Sequence, residues 1–294
     1  MPKGLIISNV SNEYEIETLD KKEIIKAIPR GKLKNDEITP VVGDIVEFEY
    51  QNETTGVINK IDERTNYIKR PKMANLTQMI FVLSMKMPKP DLLLLDKQLA
   101  FAEFNNINSI ICINKIDLED EKIINEIEKI YTNIGYTVIK TNAKTGEGID
   151  KVYKCLNNNI TAFSGNSGVG KSTLINGLFK DNITLEGDIS SKNKRGKNTT
   201  TAIKLYKIDN NSYIADTPGF STFDINEIES TELFKYFIEI EKYTENCEFI
   251  GCTHIKEQNC GVKEALNENL ISEQRYKNYC KLYEDLKERE MHKW

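Results

Sequence analysis

Histidine is nearly missing from this chain. Among 294 residues only His254 and His292 occur, so a mechanism that needs an imidazole base has two positions to draw on. Long apolar runs are missing as well. Leu92 to Leu95 is short and sits beside charge, far from the roughly 20 apolar residues of a membrane-spanning helix. The N-terminal Met1-Pro2-Lys3-Gly4 lacks the apolar stretch of a secretory signal, and the cytoplasm is the expected compartment. Repeats and low-complexity tracts are absent, which excludes solenoid arrays. Positive charge is not in excess: the formal net charge is −5, so any nucleic-acid role has to rest on local basic patches. Six cysteines in a chain expected in the cytoplasm read as thiols or metal ligands rather than disulfides.

What is present centres on Gly165-Asn166-Ser167-Gly168-Val169-Gly170-Lys171-Ser172, which fits the phosphate-loop pattern G-x-x-x-x-G-K-[ST] at every fixed position. The apolar run Ile160 to Phe163 before it predicts a buried strand, and Thr173 to Phe179 after it predicts a helix start. Three glycines let backbone N–H groups converge on phosphate oxygens, and the helix N-terminus adds partial positive charge there. Lys171 is expected to reach the β- and γ-phosphates, with the Ser172 hydroxyl on Mg²⁺.

Upstream, Leu5–Val10, Tyr14–Thr18, Glu23–Ile28, Ile45–Tyr50 and Gly56–Ile61 read as short strands, with a polar loop from Arg30 to Pro40. Val46, Phe48 and Tyr50 alternate with Glu47 and Glu49. Such a set predicts a small barrel of the OB type over residues 1–70, able to bind RNA or simply to pack on its neighbour. Arg64 to Asn75 reads as a polar connector. From there strand and helix alternate: Met79–Leu83, a helix from Leu92 to about Asn105 capped by Asp91, Ser109–Ile113, a helix with Ile123, Ile127, Ile130 and Ile134 on one stripe, and Thr137–Ile139. The pattern predicts a parallel sheet with helices on both faces over residues 71–225.

Two loops in that stretch suit a guanine base. Asn114-Lys115-Ile116-Asp117 follows a strand and forms an N-K-x-D element. The Asp117 carboxylate can accept the ring N–H and exocyclic amine of guanine, a donor pair adenine lacks. The Lys115 stem can lie along the base and Asn114 can brace the loops. In Thr141-Asn142-Ala143-Lys144, the Ala143 N–H can meet the guanine carbonyl. These loops precede the phosphate loop, the reverse of the usual GTPase order. A sheet tolerates this when old termini are joined and new ones open elsewhere.

Two further segments read as switches. Lys192 to Thr201 is basic and polar, and Thr200 can complete a Mg²⁺ shell. Asp216-Thr217-Pro218-Gly219 follows Ser212–Ala215, read as an edge of the sheet. Asp216 can hold Mg²⁺ through water, and the Gly219 N–H can meet the γ-phosphate. Phe220 stands where Ras-like GTPases carry a water-orienting glutamine, so slow hydrolysis is expected until a partner completes the site. Beyond residue 225, Cys247, Cys252, His254 and Cys260 form C-x4-C-x-H-x5-C, the donor set of a closed, structural zinc site. Cys112, Cys155 and Cys280 are isolated and read as filler. Glu232–Lys242 predicts a helix. Ser272 can cap a last one with Tyr276, Tyr279, Tyr283 and Leu286 on one stripe.

The series N-K-I-D, G-N-S-G-V-G-K-S, T-T-T, D-T-P-G-F and C-x4-C-x-H-x5-C resembles the bacterial ribosome small subunit-dependent GTPase A family over nearly the whole chain. The resemblance implies an N-terminal OB-fold RNA-binding barrel (1–70), a circularly permuted α/β P-loop GTPase domain (71–225) and a mostly α zinc-binding domain (226–294). It implies a monomeric GTP hydrolase that binds the small ribosomal subunit and its rRNA late in maturation and leaves after hydrolysis. GTP would be held by Asn114, Lys115, Asp117, Asn142, Ala143, Lys144 and Gly165 through Thr173. Magnesium would be held by Ser172, Thr200 and Asp216, and zinc by the Cys3His set. Lys171, Asn198, Thr200 and Gly219 would serve catalysis. One position departs. The family reads G-R-H-T-T where this chain has Gly196-Lys197-Asn198-Thr199-Thr200, and asparagine cannot take up a proton near neutral pH. That departure keeps open an alternative, a GTP-gated rRNA-binding assembly factor with negligible intrinsic catalysis.

Overall fold

Alternation in Ile45-Val46-Glu47-Phe48-Glu49-Tyr50 forms a strand in the computed structural model, which describes residues 1–10, 12–31, 39–182, 203–209, 211–216 and 224–292. That strand, β4 (Ile45–Tyr50), joins β1 (Lys3–Val10), β2 (Glu13–Thr18), β3 (Ile24–Pro29) and β5 (Thr55–Ile61). Their order is β1-β2-β3-β5-β4, and β4 pairs back onto β1, Lys3 opposite Glu47, so the five strands close. Ile6, Ile16, Val46, Phe48 and Ile58 fill the interior at 0% exposure. Closure removes the unpaired edges that five short strands would otherwise present.

The connector expected next is not featureless. It folds as an antiparallel hairpin, β6 (Tyr67–Lys69) and β7 (Lys72–Ala74). Its few apolar residues explain this: Ile68, Met73 and Ala74 are buried, although the charged residues around them dominate the local composition.

The chain continues through β8 (Gln78–Ser84), α1 (Leu92–Phe104), β9 (Asn108–Asn114), α2 (Glu121–Thr132), β10 (Thr137–Thr141), α3 (Ile149–Cys155), β11 (Ile160–Ser164), α4 (Lys171–Asn182), β12 (Lys204–Asp209) and β13 (Ser212–Asp216). Asp91 caps α1, accepting the Leu94 N–H at 3.0 Å. The stripe expected on α2 is rotated. Ile123 is exposed, and Ile124 and Tyr131 are the buried residues; Ile134 lies past the helix end. β9 and β10 run parallel, Thr141 beside Asn114. β13 is not an edge strand. It pairs parallel with β11 and antiparallel with β12, because Lys204 to Asp209, too polar to read as a strand, folds back on it.

The C-terminal part holds α5 (Ile238–Glu241), α6 (Gly261–Asn267) and α7 (Glu273–Met291). The single helix expected over 232–242 is broken: a 3₁₀ turn, Ser230–Tyr236, stops at Phe237, whose φ of −119° is extended. Phe237 is fully buried, and turning it inward interrupts the helix. Ser272 occupies the cap position of α7 without a side-chain capping bond. Tyr279, Tyr283 and Leu286 face the core, as the stripe predicts.

The chain divides into two compact units, each discontinuous in sequence. One contains Met1–Ile80, Ala143–Ser164 and Lys171–Phe220; the other contains Phe81–Asn142, Gly165–Gly170 and Ser221–Trp294. The first carries the barrel, the hairpin and the run β11-β13-β12-β1, in which Ser8 pairs with Lys204. Glu17 of the barrel accepts from Tyr213 Oη at 2.7 Å and Lys207 Nζ at 3.0 Å, fastening the β12–β13 hairpin. The second unit carries β8 from Phe81 on, β9, β10, α1, α2 and the C-terminal helices, with the buried cation Arg275 among them. The Arg275 guanidinium donates to Asp96 at 2.7 Å and to both Glu239 oxygens at 2.7 and 3.0 Å. Asp96 also accepts from Tyr131 Oη at 2.9 Å and Asn278 Nδ2 at 2.6 Å. Burial alone would favour the uncharged guanidine; the two facing carboxylates outweigh it and hold Arg275 protonated.

Candidate nucleotide site and metal centre

In the second unit the end of β9 grips the phosphate loop. Asn114 is buried at 1% exposure. Its Nδ2 donates to the Val169 carbonyl at 2.8 Å, and its Oδ1 accepts from Thr141 Oγ1 at 3.0 Å. Lys115 follows in the left-handed region, φ 61° and ψ 43°. This turn sends Nζ to two carbonyls, Gly168 and Met87, both at 2.6 Å. The base-reading element and the phosphate loop are thus joined by two hydrogen bonds that need no ligand, and a third, from Thr141, braces Asn114.

Two glycines make the approach possible. Gly165 has φ +141°, and a Cβ there would lie 2.1 Å from the Val82 carbonyl oxygen. Gly170 has φ +102°, and a Cβ would lie 2.2 Å from Asn114 Nδ2. Both conditions select glycine. Val169 is buried, whereas Ser167 and Gly168 are exposed and Asn166 is half-buried. Asp117, in the short turn Ile116–Leu118, is exposed and makes no hydrogen bond to any described residue. Asn142 is buried in the same unit.

The remaining expected residues that are described belong to the first unit. Ala143 is buried and Lys144 exposed. Lys171 opens α4, with Ser172 and Thr173 exposed after it. Half-burial lowers the Lys171 pKa, a penalty that a phosphate anion at the ammonium would reverse. Asp216 ends β13, opposite Lys204. Asn198, Thr200 and Gly219 lie outside the described residues.

The second unit also gathers Cys247, Cys252, His254 and Cys260, whose donor atoms all fall within 4.8 Å of one another. Cys247 Sγ lies 3.9 Å from Cys260 Sγ, and His254 Nδ1 lies 3.5 Å from each of these sulfurs. A tetrahedral ion with Zn–S near 2.3 Å and Zn–N near 2.0 Å requires about 3.8 Å between sulfurs and about 3.5 Å between nitrogen and sulfur. The cluster therefore fits a zinc site, with Nδ1 as the ligating nitrogen. His254 Nε2 is buried without a hydrogen-bond partner, and Phe234 packs edge to face on the ring, centroids 5.3 Å apart. Without a cation, burial pushes the Cys252 thiol up to about 12, whereas a bound metal would favour the thiolate. Glu257 ties the intervening turn. Its carboxylate accepts from Thr253 N and Oγ1 and from Ile255 N at 2.8 to 3.0 Å.

Sequence reasoning missed several contributors. The Met87 and Val82 carbonyls act through the backbone and leave no mark in side-chain identity. Arg275, Asp96 and Glu239 lie in charged or Leu-rich stretches that read as ordinary helix. Thr141 could have been found, since it faces Asn114 once β9 and β10 are taken as parallel neighbours.

Comparison with known proteins gives concordant matches. The RsgA GTPase profile matches residues 61–226, and the RsgA N-terminal domain profile matches residues 3–58. The chain is 39% identical over 293 residues to the small ribosomal subunit biogenesis GTPase RsgA of Caldanaerobacter subterraneus, covering 99% of this chain and 98% of that one. It is also 39% identical to the protein of that name from Clostridium botulinum, covering 99% and 100%. Among solved structures, YjeQ from Thermotoga maritima superposes with a TM-score of 0.86 at 37% identity, covering 97% and 98% of the two chains. YloQ, a circularly permuted GTPase, superposes with a TM-score of 0.84 at 33% identity, covering 98% and 96%.

Proposed function

The chain belongs to the RsgA GTPase family and is a GTP-hydrolysing enzyme, and from that premise we propose that it acts in biogenesis of the small ribosomal subunit, where the subunit stimulates hydrolysis and hydrolysis releases the protein. Asp117 reads the guanine edge, Lys115 and Asn114 support it, and Asn142, Ala143 and Lys144 close on the base. Gly165 to Thr173 hold the phosphates, with Lys171 countering charge on the β- and γ-oxygens. Ser172, Thr200 and Asp216 would hold Mg²⁺, which supplies charge neutralisation at the phosphates. Asn198, Thr200 and Gly219 would serve catalysis with Lys171. Cys247, Cys252, His254 and Cys260 hold one structural zinc. The barrel (1–70) and the zinc-binding part (226–294) contact rRNA on either side of the GTPase domain in sequence (71–225). The protein works as a monomer in the cytoplasm. Among the described residues no helix is long and apolar enough to cross a membrane, and no membrane role is assigned.

The observation that carries the reading is the Asn114–Val169 and Lys115–Gly168 pair of hydrogen bonds. They join an N-K-x-D element to a phosphate loop despite the permuted order. The test is GTP turnover with and without purified small subunits. Stimulation of at least tenfold is expected, and Asn198→His should raise the basal rate. Equal turnover with and without subunits contradicts the proposed coupling. If turnover is negligible in both cases while subunit binding still depends on GTP, the second reading stands: a GTP-gated assembly factor, favoured by Asn198 at the family's histidine position.

A further inference from the structure

Asp216, read above as a magnesium ligand, has a lysine for its neighbour across the ladder. Lys204 opens β12 and stands directly opposite Asp216, the last residue of β13. Directly opposed side chains leave the same face of a sheet, with Cβ atoms about 5 Å apart. A lysine stem is long enough to lay its ammonium on that carboxylate. An ammonium there would compete with a divalent cation for the same oxygens and repel it.

The barrel holds that ammonium elsewhere. Lys204 is the residue at which β12 meets β1, its Cα partner there being Ser8. Its Nζ lies 3.6 Å from Glu15 Oε2 on β2. The same carboxylate oxygen accepts from Ser8 Oγ at 2.7 Å, and Ser8 is buried, so a buried hydroxyl aims Glu15 at the lysine. The two side chains of the ion pair are 38% and 35% exposed, and a pair that open to water stabilises a fold little. The hairpin is fastened independently of it. Lys207 and Tyr213, opposite each other across the ladder, both donate to Glu17, at 3.0 and 2.7 Å. The consequence of the Glu15–Lys204 pair therefore lies in where it keeps a positive charge.

We infer that Glu15 of the barrel is a positioning residue for the GTPase reaction: it draws Lys204 away from Asp216 and so leaves that carboxylate to magnesium. This rests on the reading of Asp216 as a magnesium ligand and adds a residue outside the GTPase motifs that sets how tightly the metal is held. The barrel thereby acts on the nucleotide site through one charge, by way of the strand that it pairs with. Lys204 touches neither nucleotide nor metal in this scheme; its position decides how much of the Asp216 charge the metal meets.

The test uses the full-length protein and a fluorescent, non-hydrolysable GTP analogue, whose dissociation rate is followed as Mg²⁺ is varied. The readout is the Mg²⁺ concentration that gives half of the full slowing. Glu15→Gln should raise it about fivefold, the upper end of what a partly exposed charge contributes. Ser8→Ala, which removes the bond that aims Glu15, should raise it by less. Adding Lys204→Met to Glu15→Gln should return it to the value of the unaltered protein, a reversal that loss of fold stability would not produce. An unchanged midpoint in Glu15→Gln overturns the inference. A raised midpoint that persists in the double variant overturns it too, because Lys204 would not be the agent. Asp216→Asn separates the two readings and should raise the midpoint most. If it does not, the magnesium assignment of Asp216 has failed and the inference falls with it; if it does while Glu15→Gln has no effect, the inference alone falls. If Glu15→Gln melts early, Ser8→Ala decides, a raised midpoint supporting the inference and an unchanged one overturning it.

Discussion

The loop cluster around Asn114 and the Cys3His cluster lie in the same compact unit, yet they are held together by opposite means. In the first, protein groups satisfy one another: Asn114 and Lys115 reach Val169, Gly168 and Met87 directly. In the second, three sulfurs and one imidazole converge at distances that a shared cation would bridge, although Glu257 and two tyrosine hydroxyls tie the backbone around them. The Asn114 and phosphate loops are therefore joined without a ligand, whereas the cysteine cluster would gain stability from a bound metal. A pre-formed loop lowers the entropic cost of binding GTP. A metal-dependent cluster makes metal binding part of folding.

The largest effect expected from this contrast is metal removal. Structural zinc contributes on the order of 10 kcal/mol in small zinc-binding peptides. Chelation, or Cys252→Ala, should melt the C-terminal region and abolish the near-ultraviolet signal of Tyr276, Tyr279 and Tyr283, while fluorescent GTP analogues still bind. Identical melting curves with and without metal would erase the contrast. Next is Arg275→Met, which leaves Asp96 and Glu239 buried without their cation. Breaking such a pair costs about 3–5 kcal/mol, read by urea unfolding. A loss below about 1 kcal/mol would show that the carboxylates protonate or hydrate at little cost.

Gly170→Ala probes the self-supported side. The added carbon would meet Asn114 Nδ2 at 2.2 Å, so GTP affinity should fall at least about a hundredfold, or roughly 2.7 kcal/mol, with unfolding little changed. Retained affinity would mean the loop can assemble in another way. The smallest effect concerns acid. Burial alone would raise the Glu257 pKa, but hydrogen bonds from Thr253 and Ile255 outweigh it and hold the carboxyl down at about 2. A depressed carboxylate stabilises the fold above its unfolded pKa near 4.3, and that contribution is lost as pH falls toward 2. Glu257→Gln should therefore lower Tm slightly at pH 7 and flatten its decline between about pH 5 and pH 3. An unchanged decline would remove Glu257 from the acid response.

Much of this arrangement is legible in the sequence where local spacing alone determines it. Asp91 before Leu92 marks a helix start, and the cap bond is there. Four metal-ligand residues within fourteen positions, Cys247 to Cys260, have few ways to lie far apart. The permuted order of motifs fixes the family. What stays hidden depends on distant partners. Asp96 sits in a Leu-rich helix and Arg275 in a Lys- and Glu-rich one, and nothing local says that they meet. Lys69-Arg70-Pro71-Lys72 reads as connector because its buried anchors are so few. Ser212 to Ala215 reads as an edge because its neighbour Lys204–Asp209 is half polar.

The most direct measurement is nucleotide preference after Asp117→Asn. Asparagine offers a donor where the carboxylate accepted one, so affinity should shift from GTP toward XTP by at least about a hundredfold, roughly 2.7 kcal/mol. The phosphate-loop contacts should be unaffected. If the variant binds GTP as tightly as the unaltered protein and gains nothing for XTP, Asp117 does not read the base, and the assignment of these permuted loops to guanine is wrong.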